Sequence, residues 1–255
     1  MPELPDLEVF SANLTRALAG RKVIAVAVNK RAKSNMSAAK LKQVLTGQTL
    51  KKVIREGKEL CFVFGKIKLG LHLMLRGKLY WLENGEEKPH TLFKLSFSNK
   101  KELGLTDFQY QAKLTFDPES SEVADAMTIT TKALQQKLQS KATIKNLLLD
   151  QHKIRGIGNA YADEILWDAS ISPFSISQKI PAAKVKALAT SIKRVLKNAQ
   201  KEIRKADPQI IGGELRDFLV VHNSKKLKTP TGATIKKADT GGRRTYYSNE
   251  QELYK

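Results

Sequence analysis

Lys145-Asn146-Leu147-Leu148-Leu149-Asp150-Gln151-His152-Lys153-Ile154-Arg155-Gly156-Ile157-Gly158-Asn159-Ala160-Tyr161 is the stretch on which the reading of this chain turns. A helix ends, a loop carries two glycines one residue apart, and a new helix begins at Asn159. Glycine lets the backbone approach a ligand closely. The N–H groups that open a helix then form an anion site, which suits a phosphate. Asn159 can cap that helix or hydrogen-bond the same phosphate. The plain alternative is a glycine-containing turn between two helices, and the stretch alone does not choose.

Working outward, residues 132–140, 144–149 and 160–169 read as short helices. Pro181 starts a long one, with Val185, Leu188, Ile192, Val195, Leu196, Ala199 and Ile203 on one face and lysines on the other. Pro208 ends it, and the remaining residues are short, basic and turn-rich. Upstream, Asp117-Pro118-Glu119-Ser120-Ser121 marks a domain boundary. Before that boundary lie short β-like runs at 50–54, 60–64, 67–71, 78–82, 91–97 and 113–116. Gly57, Gly65, Gly77 and Asn84-Gly85 separate them, which is the spacing of a sandwich or barrel. The chain opens with a helix carrying Leu7, Phe10, Leu14 and Leu18, then a strand at 22–28 and a short helix at 37–45.

The 255 residues allow two domains with modest cores. Forty-five Lys and Arg against 25 Asp and Glu give a net charge of +20. So large an excess, interleaved with apolar residues rather than confined to a tail, points to a folded surface for a polyanion, most simply nucleic acid. A basic ribosome-associated protein would share that balance. Cys61 is the only cysteine, so no disulfide forms within the chain and the thiol is expected in the core. No leader and no membrane-length apolar run is read, so a cytoplasmic protein is expected. One Cys and four His assemble no structural zinc site.

The first six residues, Met1-Pro2-Glu3-Leu4-Pro5-Asp6, carry the other candidate chemistry. Removal of Met1 leaves a secondary amine on Pro2. Such an amine has a pKa well below that of lysine and can condense with a sugar aldehyde to an iminium. Glu3 is the adjacent acid/base group. The ordinary alternative is a helix start, with proline in the first turn and Asp6 near the positive end of the dipole.

Together with Gly57-Lys58 and the terminal Gly242-Arg243-Arg244-Thr245-Tyr246-Tyr247, these stretches resemble the formamidopyrimidine-DNA glycosylase/endonuclease VIII family of base-excision repair enzymes. The resemblance covers most of the chain. It implies an α+β fold: an N-terminal β-sandwich with a flanking helix over 1–120, and a helix–two-turn–helix domain over 128–218. A β-hairpin finger would follow over 219–255. It implies a DNA glycosylase with abasic-site lyase activity acting on damaged double-stranded DNA, as a monomer without cofactor. Pro2 would attack C1′ of an extruded nucleotide, Glu3 would protonate the ring oxygen, and Lys58 would match the family's essential lysine. Asn159 and Arg243 would grip phosphates, with Lys145, Gly156, Gly158, His72 and Leu75 also against DNA.

Three departures from the family pattern stand out. Lys228, Thr231, Ser248 and Gln251 occupy the positions where most members carry four zinc-binding cysteines. A zincless finger held by Leu227, Ile235, Tyr246, Tyr247 and Leu253 is expected instead. The void-filling loops read His72-Leu73-Met74-Leu75-Arg76-Gly77 and Asp107-Phe108-Gln109-Tyr110-Gln111-Ala112, without the usual Arg-Arg-Phe. Leu75 would wedge into the stack, with Phe108 or Tyr110 as the aromatic. Finally, the chain runs from Gly212-Gly213-Glu214 into Val220-Val221-His222 without the segment that caps 8-oxoguanine in other members. Oxidised pyrimidines or ring-opened purines are then the expected substrates. A catalytically silent binder of damaged DNA is the alternative.

Overall fold

A computed structural model describes residues 1–82 and 86–255; the expected Asn84-Gly85 breaker lies outside them. The chain forms two compact units. One comprises Met1–Ser121 with Ile203–Glu214, the other Glu122–Glu202 with Leu215–Lys255.

The first unit opens with α1 (Leu4–Leu18), whose Leu4, Leu7, Phe10, Leu14 and Leu18 are all buried. Then come β1 (Val23–Val28), β2 (Lys33–Ser34) and α2 (Ala38–Leu45), the last capped by the Ser37 hydroxyl, which accepts from Lys40 N–H. Seven strands follow: β3 (Lys52–Glu56), β4 (Glu59–Phe64), β5 (Ile67–His72), β6 (Lys78–Leu82), β7 (Thr91–Phe97), β8 (Glu102–Thr106) and β9 (Lys113–Phe116). They form a four-stranded sheet in the order β1-β7-β8-β6 and a five-stranded sheet in the order β2-β9-β5-β4-β3, the β-sandwich of the expectation. α1 packs on β3, and the Thr15 hydroxyl both donates to Val53 O and accepts from Val53 N–H.

Two strands were not expected. β2 is two residues long and pairs in parallel with β9. β8 runs through Gly104, a residue disfavoured in strands by composition. Here the glycine makes room for a neighbour, since a Cβ on it would meet Leu82 Cδ1 at 2.7 Å. The segment after the long helix also differs from expectation. Residues 203–214, assigned to the helical domain, cluster with the first unit. There Asn13 Nδ2 donates to Ile210 O at 2.8 Å. Gly212 lies so close to β6 that a Cβ would stand 2.3 Å from Leu79 O, so no other residue fits without movement.

The second unit holds α3 (Thr131–Lys137), α4 (Ile144–Leu149), α5 (Asn159–Asp168), a 3-10 turn at Ser177–Lys179 and most of α6 (Ala182–Ala206). α6 runs between Pro181 and Pro208 as its sequence predicts, and Val185, Leu188, Ile192, Leu196 and Ala199 are buried. The hairpin β10 (Lys236–Thr240) and β11 (Arg243–Tyr247) belongs to this unit rather than to a domain of its own. Gly241 and Gly242, with φ of 57° and 73°, make its two-residue turn, where both positions require positive φ. Among the described residues no helix is long and apolar enough to cross a membrane.

Candidate active site

The first six residues fold into the start of α1. Glu3 is its N-cap, 5 % exposed, and forms a capping box with Asp6, whose Oδ2 accepts the Glu3 N–H at 2.8 Å. Pro2 is buried. Asp6, read from the sequence as an acid near the positive end of the dipole, also pins the backbone of its carboxylate neighbour. The Met1 amino group pairs with the Glu214 carboxylate, which follows Gly213 at φ 97°.

Lys58 lies half-buried in the two-residue turn between β3 and β4, where Gly57 has φ 59°. Arg55 ties this turn to α1. Its Nε donates to Glu8 Oε2 at 2.7 Å, and its Nη1 donates to Gly57 O at 3.0 Å. His72, at the end of β5, accepts the Met74 N–H on Nδ1 at 3.0 Å. Burial pushes its ring below the ordinary imidazole range, and the charges of Lys58 and Lys113 push it further. Sequence reasoning placed Lys58 and His72 in separate motifs, and the fold makes them electrostatic neighbours.

Beyond His72 the chain makes a tight turn. Gly77 N–H donates to Leu73 O at 2.8 Å, and a Cβ on Gly77 would lie 2.2 Å from that same oxygen. Met74 takes φ 53°, and Leu75 projects with 63 % of its surface exposed. In the loop at 107–112, buried Asp107 accepts N–H groups from Gln109, Gln111 and Ala112 at 2.8 to 2.9 Å. Phe108 stands out from it, 55 % exposed. Tyr110 is engaged elsewhere: its hydroxyl is 2.9 Å from His90 Nδ1 and the Arg31 guanidinium lies over its ring. Of the two aromatics expected to fill a void, only Phe108 is presented outward.

In the second unit the glycine loop is stapled by Gln151. Its Nε2 donates to Leu149 O and Ile157 O, both at 2.9 Å, and its Oε1 accepts Gly156 N–H at 2.9 Å. Gly156 has φ 103°, and Gly158 is the extended N-cap of α5. Asn159 Nδ2 donates to Arg244 O at 2.9 Å, which uses one of the two N–H groups on that nitrogen.

Lys145, expected against DNA, is turned inward and is 2 % exposed. Its Nζ pairs with Asp163 Oδ1 at 2.7 Å and donates to Thr245 Oγ1 at 2.8 Å and Arg244 O at 3.2 Å. Asp163 Oδ2 in turn accepts the Tyr246 N–H at 2.9 Å and lies 2.7 Å from His222 Nδ1. Lys145 therefore holds β11, the strand that carries Arg243. A buried cation needs a partner, and no local pattern marks Asp163 as that partner. Arg243 is exposed and has no ion pair among the described residues, while Arg244 Nε lies 3.7 Å from Asp239.

Glu164, next to Asp163, accepts the N–H groups of Val220, Val221 and His222 at 2.7 to 2.8 Å. Burial pushes its carboxyl up, and those three donors pull it back. They fasten the chain soon after Phe218, where a longer capping segment was expected to be missing.

The finger does not fit zinc. Three of the four positions that would be ligands are instead partners in a polar network, and among the described residues no cluster of His, Cys, Asp or Glu could hold a metal. Glu250 accepts from Ser248 Oγ at 2.8 Å and from Trp167 Nε1 at 3.3 Å, and from the Thr231 hydroxyl. Gln251 accepts Ser248 N–H at 2.8 Å and donates to Ile171 O at 2.9 Å. These hydroxyls, Thr231 first, hold the Glu250 carboxyl down at about 2. Apolar packing contributes less widely than expected. Ile235 and Tyr246 join Val221, Trp167 and Val220, and Tyr247 meets Phe174 edge-on at 5.0 Å. Leu227 and Leu253, however, are 71 % and 44 % exposed and cannot hold the finger.

Comparison with known proteins agrees with this architecture. Residues 1–113 match the formamidopyrimidine-DNA glycosylase N-terminal domain, and residues 114–206 match the helix–two-turn–helix domain of the same enzymes. The formamidopyrimidine-DNA glycosylase of Lactiplantibacillus plantarum is 32 % identical over 206 residues, 75 % of each chain. That of Streptococcus pyogenes serotype M6 is 29 % identical over 272 residues, 96 % of each chain. The Lactococcus lactis enzyme, solved with abasic-site DNA, superposes with a TM-score of 0.88 at 25 % identity, covering 98 % of this chain and all of that one. The same enzyme solved with DNA containing an oxidised pyrimidine gives 0.87 at 26 % identity with the same coverage. This chain belongs to the formamidopyrimidine-DNA glycosylase/endonuclease VIII family of base-excision repair DNA glycosylases.

Proposed function

We infer that this chain excises oxidised pyrimidines and ring-opened purines in preference to 8-oxoguanine, and that it cuts the strand through a Schiff base on Pro2. Once Met1 is removed, the Pro2 nitrogen attacks C1′ of an extruded nucleotide, and the base leaves carrying a proton. Ring opening breaks the C1′–O4′ bond, with Glu3 delivering a proton to O4′, and leaves an iminium between Pro2 and C1′. Loss of a C2′ proton expels the 3′ phosphate. A second elimination expels the 5′ phosphate, and water then releases the sugar remnant from Pro2. Lys58, next to a neutral His72, supplies positive charge for the strand, while Asn159 and Arg243 grip flanking phosphates. Extrusion must precede this chemistry, because C1′ is out of reach while the base is stacked.

The observation that carries the reading is the buried Pro2-Glu3 pair, whose Glu3 backbone is fixed by Asp6 at the first turn of α1. For the lesion class, support comes from the anchoring of residues 220–222 on Glu164, which leaves little chain for a cap. It comes also from the Lactococcus lactis relative, solved with an oxidised pyrimidine and, as a mutant, with a formamidopyrimidine lesion.

Borohydride trapping on an abasic duplex tests the mechanism. A covalent adduct that maps to Pro2 is expected, with loss of strand cleavage in Glu3→Gln and no adduct when an extra residue precedes Pro2. Trapping on any other residue would refute the mechanism, and no adduct from trimmed protein would leave a silent binder of damaged DNA. A lesion panel tests the substrates: faster excision of 8-oxoguanine than of an oxidised pyrimidine would overturn the stated preference.

A further inference from the structure

α6 buries Val185, Leu188, Ile192, Leu196 and Ala199, and its opposite face is a column of cations. At about 3.6 residues per turn, Lys186, Lys193, Arg194, Lys197 and Lys201 fall within about 100° of arc. All five sit in the second unit, and all are exposed except Lys193, which is half-buried. The same arc holds Thr190 and no large apolar side chain, and α6 has no acid between Lys186 and Lys201. Arg194 donates to Asp168 Oδ2 at 2.6 Å; among the described residues the four lysines have no ion pair. Lys193, Lys197 and Lys201 follow one another four residues apart, a spacing at which like charges repel and weaken a helix. A helix face that serves only solvation mixes its signs. This one carries the repulsion instead, and a column of like charge along a helix is the footprint of a polyanion.

Arg194 also fixes where the column lies. Asp168 ends α5 and Asn159, beside the glycine loop, begins it, so the two ends stand about 14 Å apart. The column is anchored at the end of α5 away from Asn159. We propose that the face from Lys186 to Lys201 binds the phosphate backbone of a second duplex while Asn159 and Arg243 hold the first. It rests on the glycosylase reading only for the placing of that first duplex. Charge selects the partner. A protein interface needs aromatic or aliphatic anchors, which this arc lacks, whereas a phosphate backbone needs only cations spaced along it. The column is about 22 Å long, which covers about six phosphates of one strand at about 3.4 Å each. A chain that holds two duplexes at once passes from one to the other without going free in solution.

The test is the release of a labelled duplex carrying a tetrahydrofuran abasic analogue, followed while unlabelled intact duplex is added in rising amounts. Transfer through a doubly bound state makes the release rate climb with the added duplex; simple dissociation leaves it flat. The parent protein is expected to show the climb. Lys186→Gln, Lys193→Gln, Lys197→Gln and Lys201→Gln made together should lose it, and Lys→Arg at the same four positions should keep it. Both replacements are good helix formers, so the fold is retained. At about 0.15 M salt, exposed charges more than about 8 Å apart are largely screened. The neutral variant should therefore hold a lone duplex as tightly as the parent and give the same yield of borohydride-trapped adduct on an abasic one. A flat rate in the parent, or a climb that survives in the neutral variant, overturns the assignment, while trapped adduct keeps the glycosylase reading. Loss of adduct on a lone duplex in that variant would put α6 in the grip on the first duplex and overturn it too. Poly-glutamate that speeds release as well as duplex does would make the partner an acidic protein and overturn the choice of DNA. No adduct from the parent, with the climb intact, sinks the glycosylase reading and supports the second surface.

Discussion

The first turn of α1 and the hairpin β10–β11 are held in opposite ways. Glu3 is fixed by Asp6, three residues along the same helix. Arg243 sits on a strand held by Lys145, about a hundred residues earlier in the chain, and by the Asp163 that Lys145 neutralises. A local clasp forms as soon as its helix forms and can fail alone. A long-range clasp forms only when the whole unit has folded, and its failure takes the unit with it. The start of the chain thus depends on a cap, and the hairpin that carries Arg243 depends on a buried ion pair.

Substitutions should separate the two kinds of clasp. The largest effect is expected from Lys145→Met, which keeps the volume and removes the cation paired with buried Asp163. Breaking a buried pair this way costs about 3–5 kcal/mol, read as a lower urea midpoint for the second unit. If Lys145→Met were as stable as the parent, the hairpin would not depend on this pair. Asp6→Ala should remove about 1 kcal/mol, the worth of a helix cap. The rate of strand cleavage should fall with it, because Glu3 is no longer held; an unchanged rate would mean that the cap serves the helix alone.

Glu250→Gln is expected to act more gently, lowering Tm by a few degrees at neutral pH. Its pH dependence is the sharper reading. The carboxyl is held at about 2 against an ordinary 4.5. Its contribution is therefore complete above about 4.5 and is lost as pH falls toward about 2. Thermal scans across that window should show a steeper loss for the parent than for the variant, and parallel curves would remove Glu250 from the finger's support. The smallest effect is expected from a strong chelator, which should change neither Tm nor binding to an abasic duplex. A chelator-induced loss of binding would break the comparison altogether, by making the finger metal-dependent after all.

The same contrast decides what could be read from the sequence. The local settings of Pro2, Glu3, Lys58, Gly156, Gly158 and Asn159, a helix start, a hairpin turn and a glycine loop, were legible because each owes its place to neighbours within a few residues, through caps and tight turns that local chemistry dictates. α6 was legible from its period and its flanking prolines. Lys145 was misjudged because a lysine among 45 basic residues gives no local sign of being buried, and its partners Asp163 and Thr245 are remote. Leu227 and Leu253 were misjudged for a related reason. Apolar character marks a residue as able to pack, but not as packed. Glu250 went unnoticed because its network gathers Trp167, Thr231 and Ser248 from three separate segments, and no spacing rule joins hydroxyls to a carboxylate in the way one joins cysteines to zinc. β8 was hidden by Gly104, whose purpose is visible only once Leu82 is seen against it.

A finger closed by hydroxyls and a carboxylate has a consequence for the conditions in which such an enzyme works. Oxidants that generate base damage also attack zinc-bound thiolates, because thiolate sulfur is the form they consume. This chain offers them no such target. Its one thiol, Cys61, is 2 % exposed, and burial pushes its pKa to about 11, so it stays protonated and shielded. The finger's fold therefore does not rest on the sulfur that such oxidants consume, and exposure to peroxide should leave binding to an abasic duplex standing where a cysteine-built finger falls apart.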